Sequence, residues 1–96
     1  MSSSLVSVQI IPTVPAGEHV YDFVDAAIKV IEDAGVNYEV NALDTTMEGE
    51  LHELLPIIEK MNDKMVELGA TKVISQIKTL YVPEGIEAKT LTEKYR

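Results

Sequence analysis

Two stretches of the chain carry apolar residues at helical spacing, and each is closed by a glycine. In the first, Val20, Phe23, Val24, Ala27, Ile31 and Ala34 fall on one face and Gly35 follows. In the second, which opens at Leu51, the residues Leu54, Leu55, Ile58, Met61, Met65 and Leu68 share a face and Gly69 follows. An apolar stripe of this kind has to be buried against another element. A glycine just beyond it supplies the left-handed residue on which helices commonly end. In 96 residues there is room for one domain, and its modest core gains from any further burial between subunits.

The segments around the two helices read as strands. Leu5 to Ile11 alternates apolar and polar residues as far as Gln9 and stops at Pro12, which has no N–H for a central ladder. A loop with Pro15 and Gly17 leads from there to the first helix. Val36 to Leu43 alternates again, with Tyr38, Val40 and Ala42 on one face and Glu39 and Asn41 on the other. Asp44-Thr45-Thr46 has the composition of a turn. A third strand over Met47 to Glu50 is expected from topology more than from pattern. Pro56 belongs in a first helical turn, so the second helix either begins near Leu54 or contains a kink. Lys72 to Val82 forms the last long strand, with Val73, Ser75 and Ile77 on one face and Ile74, Gln76, Lys78 and Leu80 on the other; Pro83-Glu84-Gly85 ends it. In the tail, Thr90 and Glu93 have the spacing of a capping box, which predicts a short helix. A helix of about two turns is marginal alone, so it has to dock on the domain or on a neighbouring subunit.

Strand, helix, strand, strand, helix, strand is the order of the ferredoxin-like βαββαβ fold. The expectation is therefore an α+β protein, one domain over residues 1–96, with a four-stranded antiparallel sheet and two helices on one face. The other face is left open, and the register predicts Ser7, Gln9, Glu39, Asn41, Gln76 and Lys78 along it.

Charge narrows the partners. Sixteen acidic against eight basic residues give a net charge of −8, a field that repels phosphate backbones and anionic lipid. RNA-binding sheets of this topology also use aromatic residues on the central strands, and Val6 to Ile11 has none. No apolar run reaches the roughly 20 residues of a membrane span, and the start Met1-Ser2-Ser3-Ser4 lacks the features of a signal peptide, which predicts a cytoplasmic protein. Cysteine is absent, which removes disulfides, thiolate metal sites and cysteine nucleophiles. There is no nucleophile elbow, phosphate-cradling glycine loop or dinucleotide fingerprint. A non-enzymatic protein without a cofactor is expected.

The densest polar group is Thr45-Thr46-Met47-Glu48-Gly49-Glu50-Leu51-His52-Glu53. Its hydroxyls and carboxylates suit a heteroaromatic amine, with Glu48 able to accept two hydrogen bonds from an aminopyrimidine edge. The same residues also suit a turn followed by a helix N-terminus with acidic side chains in its first turn. In an extended strand Glu48, Glu50 and His52 would fall on one side, but neither a tight histidine pair nor an acidic calcium loop accompanies them, and no metal site is expected. Tyr38 and Tyr81 are candidates for stacking on a ligand ring.

Four pieces of the sequence together resemble the thiamine-binding protein family: Ile10-Ile11-Pro12, Val36-Asn37-Tyr38-Glu39-Val40, Thr45-Thr46-Met47-Glu48-Gly49-Glu50, and the strand opening Lys72-Val73. The Thr-x-x-Glu-Gly-Glu stretch is the most specific. The chain departs from the family pattern at His52 and in the Pro15/Gly17 loop. The resemblance implies ferredoxin-like subunits associated as sheet-to-sheet dimers and tetramers, and binding of thiamine or its hydroxymethylpyrimidine portion. By position it implies Thr45, Thr46 and Glu48 as ligand contacts, with Ser7, Gln9 and Asn41 from neighbouring strands. The alternative is an assembly or regulatory component whose open sheet face and tail serve subunit contacts.

Overall fold

The computed structural model describes residues 2–96. Its elements are β1 (Ser2–Pro12), α1 (Val20–Ala34), β2 (Asn37–Val40), β3 (Thr45–Gly49), α2 (Leu51–Glu67), β4 (Val73–Ile86) and α3 (Ala88–Thr92), followed by a 3₁₀ turn over Glu93–Tyr95. The strands form one sheet in the order β2-β3-β1-β4. Every neighbouring pair is antiparallel. The α+β architecture with a four-stranded antiparallel sheet is the expected one, and α3 is a third helix added to it.

Alternation along β1 explains its central place. Ser4, Val6 and Val8 are buried on one face, and the register sets Met47 of β3 opposite Val6 and Thr45 opposite Val8. Phe23, Ala27 and Ile31 of α1 and Leu54, Ile57, Ile58, Met61 and Met65 of α2 join Val6, Val8 and Met47 in a single buried cluster. Burying a side chain of this size fully contributes about 1.5–3 kcal/mol, so the two helical stripes supply most of the drive to fold. On the α2 stripe Leu55 stands about a quarter-turn away from Leu54 and is exposed, while Ile57 takes the buried place. Leu68 lies just past the end of α2 and is exposed too. Ser75 on β4 donates its hydroxyl to Asn62 Oδ1 at 2.8 Å, tying α2 to the strand at the sheet edge.

Gly35 ends α1 with φ 77° and donates its N–H to the Glu32 carbonyl at 3.2 Å. Gly69 does the same work after α2, at φ 113°. That helix runs unbroken from Leu51 with Pro56 inside it. Proline has no N–H for the carbonyl four residues back, that of His52, and so close to the N-terminus this costs less than it would in the middle of the helix.

The structure corrects four expectations. β2 stops at Val40, and the turn is Asn41 to Asp44, closed by the Asn41 N–H on the Asp44 carbonyl at 2.8 Å; Thr45 and Thr46 are therefore strand residues and Asn41 is a turn residue. β4 does not end before Pro83. Ser4 pairs with Tyr81 and Ser2 with Ile86, so the four residues Val82 to Gly85 of β4 stand against Ser3 alone and Pro83 sits in the resulting bulge, where no ladder N–H is required. Glu87, rather than Thr90, occupies the N-cap of α3. Val20 overhangs the core as the first residue of α1 and is exposed, and Ala34 is exposed at its last.

Candidate functional site

Strand alternation divides the Thr45–Glu50 segment between the two faces of the sheet. Thr45 and Met47 turn toward the helices, and Thr45 is 6% exposed. Thr46 and Glu48 turn to the opposite face, where the register sets Ser7 and Glu39 beside Thr46 and Leu5 and Asn37 beside Glu48. A Cβ on Gly49 would stand 3.2 Å from Leu54 Cδ2, so the strand passes α2 where a side chain would fit poorly and turns into the helix at once. Glu50, at the N-cap of α2, reaches back to β1. Ser3 donates its N–H to Glu50 Oε1 at 3.1 Å and its hydroxyl to Oε2. The Ser3 hydroxyl first, and then the Ser3 N–H, hold the Glu50 carboxyl below the usual carboxylate range.

The chain after β4 returns across this second face. Ala88 donates its N–H to Glu48 Oε1 at 2.7 Å, while Asn37 Nδ2 reaches Glu48 Oε2 at 3.4 Å. Arg96 pairs with Glu39 and donates to Asn41 Oδ1 at 3.4 Å. Asn41 in turn donates to Thr46 Oγ1 at 3.4 Å and to Asp44 Oδ1 at 3.1 Å. Leu5 shares the face of Ser7 and Gln9 and lies outside the helix-side cluster, yet it is only 8% exposed, which places its cover on the tail side. Between tail and sheet lies a cavity of about 360 Å³, lined from the sheet by Asn37, Tyr38, Glu39, Thr46 and Glu48 and from the tail by Glu87, Ala88 and Lys89.

Of the residues singled out from the sequence, Thr46 and Glu48 line this cavity and Asn41 braces Thr46. Ser7 and Gln9 border a second depression of about 420 Å³ on the same face, with Leu43, Asp44, Gln76, Ile77 and Lys78. Thr45 is on the other side of the sheet. Glu48, Glu50 and His52 do not share a strand face, because the strand ends at Gly49 and His52 is helical. Tyr38 borders the cavity and Tyr81 stands on β4, two strands away from β3. Sequence reading missed Asn37 and the tail residues as neighbours of Glu48. The alternation that put Glu39 on the open face also puts Asn37 there, whereas nothing in the tail's own sequence says where it docks.

Two residues of the motif, Thr46 and Glu48, thus line a cavity floored by β2 and β3. Residues 6–96 match the profile of the family described as thiamine-binding protein. The chain belongs to the thiamine-binding protein family. A UPF0045 protein of Clostridium perfringens is 40% identical over 96 residues, the whole of both chains. Two solved structures of similar proteins superpose along nearly the whole chain. A domain of unknown function, DUF77, from Bacillus cereus is 38% identical with a TM-score of 0.91, covering 99% of this chain and 91% of its own. A candidate thiamine biosynthesis/salvage protein from Thermotoga maritima is 29% identical with a TM-score of 0.87, covering 98% and 99%. Among the described residues no helix is long and apolar enough to cross a membrane.

Proposed function

We propose that this member of the thiamine-binding protein family binds thiamine or its hydroxymethylpyrimidine portion, without catalysing a reaction, in the cavity between β2, β3 and the tail. The observation that carries this reading is the meeting of Thr46 and Glu48, from the most specific part of the motif, with Asn37, Tyr38 and Glu39 on one cavity wall. The exocyclic amine of a 4-aminopyrimidine is a donor, and the Glu48 carboxylate is the acceptor for it. Thr46 and Asn37 offer both donors and acceptors to the ring nitrogens. Glu48 and Glu87 favour a positive charge nearby, whereas Tyr38, set opposite Met47, turns its side chain to the helix side of the sheet.

In this reading the subunit is ferredoxin-like, with α1 and α2 on the face away from the ligand, and works in the cytoplasm apart from nucleic acid. Self-association as a dimer or tetramer has its own support. Ile11 and Ile74, paired across β1 and β4 on the open face, are 40% and 54% exposed and lie beyond the reach of the tail contacts. An assembly role is the second reading, and the two are compatible. Titration with thiamine and with hydroxymethylpyrimidine tests the first: saturable heat is expected from each, and its absence with both would contradict binding.

A further inference from the structure

We infer that the C-terminal segment from Glu87 to Arg96 is a wall of the ligand site and that Arg96 is the residue that positions it. The inference rests on the reading of the site given above and adds to it a group that no part of the motif contains.

The segment has little of its own to hold it. α3 spans five residues and the 3₁₀ turn three, and neither contributes a buried residue. Such an element is unstable alone and belongs to the most easily opened part of a fold. It is fixed near each end, and both fixing points are polar side chains of the sheet. Near its start, the Ala88 N–H meets Glu48. At its end, Arg96 pairs with Glu39 and donates to Asn41. Glu39 and Glu48 also line the cavity. Releasing the tail therefore does two things together: it removes Glu87, Ala88 and Lys89 from the cavity wall, and it takes Arg96 from Glu39 and the Ala88 N–H from Glu48, which keeps only Asn37 Nδ2.

Arg96 also acts at one remove on Thr46. Its contact with Asn41 Oδ1, together with the Asn41 NH₂ contact to Asp44 Oδ1 at 3.1 Å, sets which end of that amide faces which neighbour, and the NH₂ end also donates to Thr46 Oγ1. A hydroxyl that accepts from Asn41 has its own proton left to donate into the cavity. Asp44 Oδ1, which accepts from the same NH₂ group, holds the amide the same way round, so without Arg96 the bias on the Thr46 hydroxyl is weakened rather than lost. Lysine in place of Arg96 keeps an ion pair with Glu39 but not the planar fork that spans two acceptors.

Arg96→Ala and Arg96→Lys, compared with the unsubstituted chain, test this by amide hydrogen exchange of the tail and by calorimetric titration with thiamine. Exposed contacts of this kind are modest, so Arg96→Ala is expected to weaken thiamine binding about fivefold or more, with faster exchange at Ala88 and through α3 and an unchanged melting midpoint. Arg96→Lys is expected between the two. Unchanged tail exchange in Arg96→Ala would overturn the clamp, and faster exchange with unchanged affinity would overturn the wall. If the unsubstituted chain bound neither thiamine nor hydroxymethylpyrimidine, the reading of the site would fall and the wall with it, while the exchange comparison would still decide whether Arg96 holds the tail.

Discussion

Ser3 gives both its N–H and its hydroxyl to the carboxylate of Glu50, joining the start of β1 to the start of α2 across 47 positions of sequence. Glu50 also stands at the N-cap, where a negative charge complements the helix dipole. Both effects favour the ionised form, so the folded-state pKa lies below the unfolded value of about 4.3. The sign follows from linkage. The contribution is fully present above the unfolded pKa and is lost as pH falls through the folded one. Denaturant unfolding of the unsubstituted chain and of Glu50→Gln at several pH values should show a stability difference above about pH 4.5 that shrinks in more acidic solution. A difference independent of pH would contradict the assignment.

Leu54 is fully buried where α2 leaves β3, and its side chain stands against Gly49. Replacing it with alanine leaves a cavity at the junction that positions Glu48 and should cost about 2–5 kcal/mol in urea unfolding. A cost below about 1 kcal/mol would mean that the junction relaxes freely and does not fix the site.

Exposed Ile74, beside Ile11 on the open face, is the test of association through β1 and β4. A carboxylate there costs little in a monomer and is unfavourable in an apolar interface. Light scattering of the unsubstituted chain should report an oligomer, and Ile74→Glu should report a smaller species with an unchanged far-ultraviolet spectrum. Equal masses for the two would place the interface elsewhere.

Much of the fold was legible because two periodicities carried it. The stripes through Phe23, Ala27 and Ile31 and through Leu54, Ile58, Met61 and Met65 could be buried only by helices, and Gly35 and Gly69 marked their ends. Alternation in β1 and β4 correctly separated Ser7, Gln9, Gln76 and Lys78 from the core. The β2–β3 turn was misplaced because Asp44, Thr45 and Thr46 are all good turn residues, and only the cross-strand pairing of Thr45 with Val8 and Val40 decides that the turn lies earlier. Pro83 and Gly85 read as a strand end because a bulge and a stop share the same residues. The tail was the least legible part. Its docking depends on Glu39, Asn41 and Glu48, 40 or more positions away, and local sequence carries no trace of such pairings. The same tertiary pairing is why Lys89 escaped notice as a neighbour of Glu48, whereas Asn37 beside Glu48 and Thr45 on the opposite side of the sheet from Thr46 follow from strand alternation once the turn is placed before Thr45.

Glu48 is the group on which the proposed recognition turns, and its replacement by glutamine removes the charge while keeping the shape. A hydrogen bond to a charged group is worth about 1.5–3 kcal/mol, so Glu48→Gln should weaken binding about ten- to a hundredfold. Calorimetric titration of the unsubstituted chain and of Glu48→Gln with thiamine is therefore the measurement to make. The account predicts saturable binding at a fixed stoichiometry per subunit for the first and a loss of that size for the second. Equal affinities in two folded proteins, or no heat from the unsubstituted chain, would contradict it.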